Sequence, residues 1–80
     1  MNWRDHIYSN PDILGGKPVF RDTRITVERV LKLVAAGWDY TRIADEYPGV
    51  LPDHLRAAAA FAAHMLQEDT AFAIDQARAA

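Results

Sequence analysis

One stretch, Gly15-Gly16-Lys17-Pro18-Val19-Phe20-Arg21-Asp22-Thr23-Arg24-Ile25-Thr26-Val27, constrains this chain more than any other. It joins a Gly-Gly turn signal, a proline that fixes one backbone angle, a short apolar run, three basic side chains and a threonine placed to start a helix. Lys17-Pro18-Val19-Phe20 reads as extended, with Pro18 confined to an edge or a strand start because it has no N–H to donate. Arg21-Asp22-Thr23 is a turn in which Asp22 tolerates a left-handed backbone, and Arg24-Ile25 is extended again. Upstream, Ile7-Tyr8 is another extended piece, closed by the turn residues Ser9-Asn10-Pro11-Asp12. Gly15-Gly16 before Lys17 is a turn and not a phosphate loop, since no Lys-Ser/Thr ending follows and no helix opens there. The N-terminal third is therefore a small strand-and-turn arm, too short to stand alone.

Everything after Val27 is helix-forming sequence. Thr26 is the expected N-cap of a first helix, with Glu28 in the first turn where the helix dipole favours a negative charge. Val27, Val30, Leu31 and Val34 follow the i, i+3, i+4, i+7 pattern of a buried stripe, which leaves Arg29 and Lys32 outside. Gly37 ends this helix in a left-handed turn, and Trp38 beyond it is placed to return to Leu33. Asp39 caps a short second helix, Tyr40 to Tyr47, whose inward side is Tyr40, Ile43, Ala44 and Tyr47; Pro48-Gly49 stops it. Pro52 and Asp53 begin a third helix with the expected stripe Leu55, Ala59, Ala62 and Leu66. No Gly or Pro occurs from there to Ala80. An unbroken helix of that length would run roughly 40 Å, beyond the diameter of about 30 Å for a globule of this size, so the pattern allows either an overhang or a break near Asp69-Thr70.

With 80 residues, half of them hydrophobic, the chain has room for one modest core. It has no cysteine, which excludes a disulfide framework and a thiolate zinc site, and makes association the expected source of extra stability. A homodimer, or a heteromer built on one, is expected. The charged start Met1-Asn2-Trp3-Arg4-Asp5-His6 lacks an apolar signal core, and no segment approaches a membrane span, so a soluble cytoplasmic protein without membrane contact is expected. The net charge of −2 hides an asymmetry: five basic residues between positions 17 and 32 (Lys17, Arg21, Arg24, Arg29, Lys32) face only Asp22 and Glu28.

No catalytic or metal set emerges, and no cofactor is called for. His54 and His64, ten residues apart, point roughly 80° apart on an ideal helix and cannot share a metal by helical spacing. His6 is isolated, and none of the hydroxyls has a neighbouring His and acid to activate it. The second and third helices, joined by Pro48-Gly49-Val50-Leu51, have helix-turn-helix proportions. The start of the third helix, Asp53, His54, Arg56 and Ala57 to Ala60, is poor in base-reading donors, so DNA contact is assigned to Lys17, Arg21, Arg24, Arg29 and Lys32 instead. The expected architecture is mainly α: a strand-and-turn arm and a three-helix, helix-turn-helix-like bundle over residues 1–66, then a C-terminal helical extension over 67–80.

Asn10-Pro11-Asp12-Ile13-Leu14-Gly15-Gly16-Lys17-Pro18-Val19-Phe20-Arg21-Asp22-Thr23-Arg24-Ile25-Thr26-Val27, then Leu31, Ala35-Ala36-Gly37, Ile43, Glu46-Tyr47-Pro48 and Leu55-Arg56-Ala57-Ala58, resembles the bacterial family catalogued as domain of unknown function 433. The resemblance covers about residues 6 to 63 and is carried chiefly by the Gly-Gly-Lys-Pro and Thr-Arg-Ile-x-Val blocks. It implies a helix-turn-helix-like fold and an antitoxin role, of the VapB type, in a two-gene toxin-antitoxin module whose toxin is a PIN-like ribonuclease. The chain departs from the family pattern at Asp22, where Gly is usual, and at Leu51, where Ser or Thr usually caps the third helix. The second departure removes a cap worth about 1 kcal/mol unless Pro52 and Asp53 compensate. The expected function is thus a non-enzymatic antitoxin that neutralises such a nuclease and regulates its own operon. A stand-alone DNA-binding regulator and a structural dimerisation module are the alternatives. Phe72 and Ile74, with Arg78 beyond them, are the candidate toxin-gripping residues: apolar anchors for a groove and a guanidinium to pair with the carboxylates of the nuclease site. The same apolar pair would equally serve to fold back on the first helix or to pair across a dimer.

Overall fold

The turn residues of the arm bring two short strands together. In a computed structural model, which describes residues 1–68, strand β1 (Ile7–Tyr8) pairs antiparallel with β2 (Val19–Phe20), Ile7 opposite Phe20 and Tyr8 opposite Val19. The Asn10 side chain accepts from the Asp12 N–H at 2.9 Å, an Asx turn that starts the connection. The connection ends in a 3₁₀ turn at Leu14–Gly16, where Leu14, Gly15 and Gly16 all have positive φ. Pro18 stands just before β2, and its carbonyl accepts from the Val27 N–H at 3.0 Å. The tight turn after β2 carries Asp22 at φ 63°, as its tolerance of the left-handed region predicts. Thr23 seals that turn by donating its hydroxyl to the Phe20 carbonyl and accepting from the Ile25 N–H.

An isolated bridge from Val19 to Thr26 stitches the arm to helix α1 (Val27–Ala35). The Thr26 hydroxyl accepts from the Arg29 N–H at 3.0 Å, the expected cap. At the other end Gly37, at φ 92°, donates to the Val34 carbonyl while Trp38 donates to the Leu33 carbonyl, both at 3.0 Å. This pair of bonds is the Schellman arrangement, and only glycine enters its positive φ cheaply. Helix α2 (Tyr40–Glu46) starts on the Asp39 carboxylate, which accepts from the Arg42 N–H at 2.9 Å. The turn at 47–51 is held by the Tyr40 hydroxyl donating to the Val50 carbonyl at 3.0 Å. Helix α3 (Pro52–Glu68) follows.

The core is Ile7, Phe20, Val27, Val30, Ile43, Val50, Ala57 and Ala58, so both strands and all three helices contribute. Complete burial of an aliphatic side chain of this kind contributes about 1.5–3 kcal/mol. Two expected stripes shift. Val34 is 45% exposed: it shares a side of α1 with Val27, Val30 and Leu31 but lies in the last turn, beyond the reach of the core cluster. On α3 the most covered row is His54, Ala57, Ala58 and Phe61; of the expected stripe Leu55 and Ala62 are half-buried, whereas Ala59 is exposed and Leu66 is 53% exposed. The alanines decide this rotation: Ala57 and Ala58 let α3 approach the core closely, whereas Leu55 covers its margin. The chain's first turn, a 3₁₀ turn at Trp3–Asp5, was not read from the sequence; it sets Trp3 edge-on against Phe61 at 5.0 Å. Whether a further helix follows a break near Asp69-Thr70 falls outside the described residues. No helix among the described residues is long and apolar enough to cross a membrane.

Candidate functional site

The five basic residues assigned to DNA do not form one patch. Lys17, between the 3₁₀ turn and β2, and Arg29 and Lys32, on the outer side of α1, gather with Thr26 and Glu28 around a small polar depression at the start of the helix. Glu28 is the hub. Its carboxylate pairs with Lys17 Nζ at 3.1 Å and with Lys32 Nζ, one turn on, at 3.0 Å. Lys32 first, and then Lys17, hold the Glu28 carboxyl below the usual carboxylate range. All three side chains are half or more exposed, so the pairs fix geometry more than they stabilise the fold.

Arg21 is turned away from this group. Its guanidinium donates to the Arg4 carbonyl, from Nη2 at 3.2 Å, and lies 5.0 Å over the Tyr8 ring. It thereby ties the arm to the first turn of the chain. Arg24 is exposed in the segment between β2 and α1. The structure thus gathers Lys17, Arg29 and Lys32 and leaves Arg21 and Arg24 outside the group.

Glu28 and Lys32 also form one lip of a second, apolar depression between α1 and α3. Pro18, Val27, Leu31, Ala35 and Phe61 line it, and its volume is about 400 Å³. This groove is not evident from the sequence alone. Its signal was present as the i, i+4, i+8 row Val27, Leu31 and Ala35, but Phe61 on the opposite wall depends on how α3 is rotated.

His54, set aside as a metal ligand by its spacing, has a structural role. It is 8% exposed, its ring lies nearly parallel to Phe20 at 4.7 Å, and the His6 ring, distant in sequence, approaches to 6.2 Å. Its Nδ1 accepts from the Leu51 N–H at 3.0 Å, while its own N–H donates to the Leu51 carbonyl at 2.9 Å. This is the reach-back half of a capping box, with histidine where Glu or Gln is usual. His54 thereby holds the helix start that Leu51 does not cap, together with Pro52 at the first helical position and Asp53 in the first turn. Burial pushes the His54 pKa down, the neighbouring His6 adds to this, and Asp53 opposes it. His64 is separate, its ring 5.6 Å from Trp3. Among the described residues no three His, Cys, Asp or Glu side chains converge as a metal site would require. The toxin-gripping candidates Phe72, Ile74 and Arg78 lie outside the described residues.

Arm, bundle and paired depressions define a small, mainly α domain whose distinguishing features all lie on its surface. The chain belongs to the family described as "Protein of unknown function (DUF433)", which matches residues 7–62. It is 41% identical over 59 residues to "Uncharacterized protein y4eO" of Sinorhizobium fredii (strain NBRC 101917 / NGR234). That match takes in 74% of this chain but 27% of the relative, so the chain spans about a quarter of the relative's length. It also resembles the crystal structure of a DUF433 member protein from Anabaena variabilis ATCC 29413, with a TM-score of 0.66 at 26% identity, over 96% of this chain and 71% of that one.

Proposed function

We propose that this protein is a non-enzymatic antitoxin of the cytoplasm that binds and neutralises a PIN-like ribonuclease, working as a homodimer or in a heteromer built on one. Family membership supports the reading through the role its resemblance implies. The single structural observation that carries it is the end of α3. Met65 is 43% exposed and Leu66 more so, immediately before the segment that bears Phe72, Ile74 and Arg78. Adjacent exposed apolar residues on a helix are the kind of surface that a partner covers. Co-expression with the product of an adjacent reading frame for a small nuclease with an acidic site, followed by pull-down and an RNA-cleavage assay, tests the reading. A stoichiometric complex with cleavage suppressed is expected. A nuclease that is encoded next door, folds, and neither co-purifies nor loses activity would overturn it.

DNA binding is the second reading, either as autoregulation of the operon or as the activity of a stand-alone regulator. The convergence of Lys17, Arg29 and Lys32 favours it. A gel shift on DNA upstream of the chain's own gene, without any partner, separates it from toxin binding alone.

A further inference from the structure

We propose that the groove between α1 and α3 is a docking site for an amphipathic helix of another protein, one that carries acidic residues beside its apolar face. This surface is distinct from the end of α3 invoked above.

The floor of the groove specifies the apolar half of the partner. Val27, Leu31 and Ala35 are one row along α1, Pro18 closes the end nearest the arm, and Phe61 forms the facing wall. From Val27 to Ala35 the row runs about 12 Å, two helical turns, which suits side chains spaced i, i+4 and i+7 on an incoming helix. A volume of about 400 Å³ falls within the range of real binding clefts. Apolar side chains line it almost throughout, so a polar ligand would lose water contacts there without replacement. Nucleic acid has a use for the neighbouring cations and none for this floor.

The lip specifies the charge. Lys32 borders both depressions, with Lys17 and Arg29 beside it. One carboxylate, Glu28, serves both lysines, so in the polar depression that adjoins the groove three cations surround one anion. A partner carboxylate arriving there relieves a local excess of positive charge, and its field speeds the encounter.

A fluorescein-labelled synthetic helix of about 14 residues serves as the probe, with leucines on one face and glutamates on the adjoining one. Its charge-inverted twin, lysine replacing glutamate, is the control. Fluorescence anisotropy with the 80-residue chain should show the acidic peptide binding at least about tenfold more tightly than the basic one. Lys32→Glu, at an exposed position, should narrow or reverse that preference. Ala35→Glu, also exposed, should abolish binding of the acidic peptide with the thermal melt unchanged. Equal binding of both peptides, or acidic binding that survives Ala35→Glu in a folded protein, overturns the proposal. Failure of the chain to bind the acidic peptide, as when a second copy fills the groove, overturns it too.

Discussion

Lowering the pH through the imidazole range strikes this fold at one side chain, His54. In the folded protein its Nδ1 must stay unprotonated to accept from the Leu51 N–H, and burial against Phe20 and beside His6 lowers its pKa from the ordinary 6.5. A depressed folded pKa fixes the sign. Between the folded value and 6.5 the unfolded chain binds more protons, so the stabilisation is complete above 6.5 and is lost as the pH falls through the folded value. Protonation forfeits the capping bond, worth about 1 kcal/mol because exposed Leu51 lets water replace part of it, and charges a ring packed on Phe20. A total of about 1–2 kcal/mol follows by pH 5, against roughly 4–12 kcal/mol for the stability of a domain this size. At about 4–8 °C of Tm per kcal/mol the shift is readily seen by circular dichroism between about pH 7.5 and about pH 5. His54→Gln is the informative variant, since glutamine at this helix position can accept from the Leu51 N–H without titrating. Its loss of ring packing on Phe20 is a constant offset, whereas its Tm should vary less with pH than the wild type's. An unchanged pH slope in His54→Gln would refute the reasoning.

Gly37→Ala should cost about 1–2 kcal/mol in chemical denaturation despite open space around the position, because its φ of 92° is the obstacle. Asp22→Gly, at φ 63°, should do the opposite and stabilise by up to about 1 kcal/mol. Glu28→Gln should release Lys17 and Lys32, leaving the melt nearly unchanged while steepening the salt dependence of any DNA binding measured by anisotropy. Truncation after Glu68 should abolish toxin neutralisation in a co-expression growth assay while the remaining protein keeps its helical circular dichroism. Full neutralisation by the truncated protein would exclude Phe72, Ile74 and Arg78 as the grip.

Local chemistry made the arm and the helix starts legible. Thr26, Asp39, Gly37 and Asp22 each do what their side chain or backbone freedom dictates within a few residues, so reading them needs no tertiary knowledge. The rotation of α3 was not legible in the same way. A helix in which alanines surround Leu55, Phe61 and Leu66 has no single dominant stripe, and the core chose the row through Ala57 and Ala58 for closeness of approach. The candidate site divided for a related reason. Lys17, Arg29 and Lys32 converge because Glu28 anchors two of them, whereas Arg21 finds a carbonyl from the far side of the arm that sequence spacing does not reveal. His54 was readable in principle: a histidine three residues after an uncapped helix start occupies the capping-box position.

The edge-on contact between Trp3 and Phe61 joins the two ends of the described chain. An opening of the last turns of α3 removes the aromatic part of the first turn's anchorage, Phe61 and His64 against Trp3, and leaves it the Arg21 bond to the Arg4 carbonyl. The contact therefore couples these distant segments in local unfolding, and amides on both sides of it should exchange with solvent deuterium faster once it is lost. During synthesis that closure waits until Phe61 has emerged, long after the arm that precedes it is available to pair. The turn at Trp3–Asp5, though early in the chain, thus reaches its final packing only once α3 has formed.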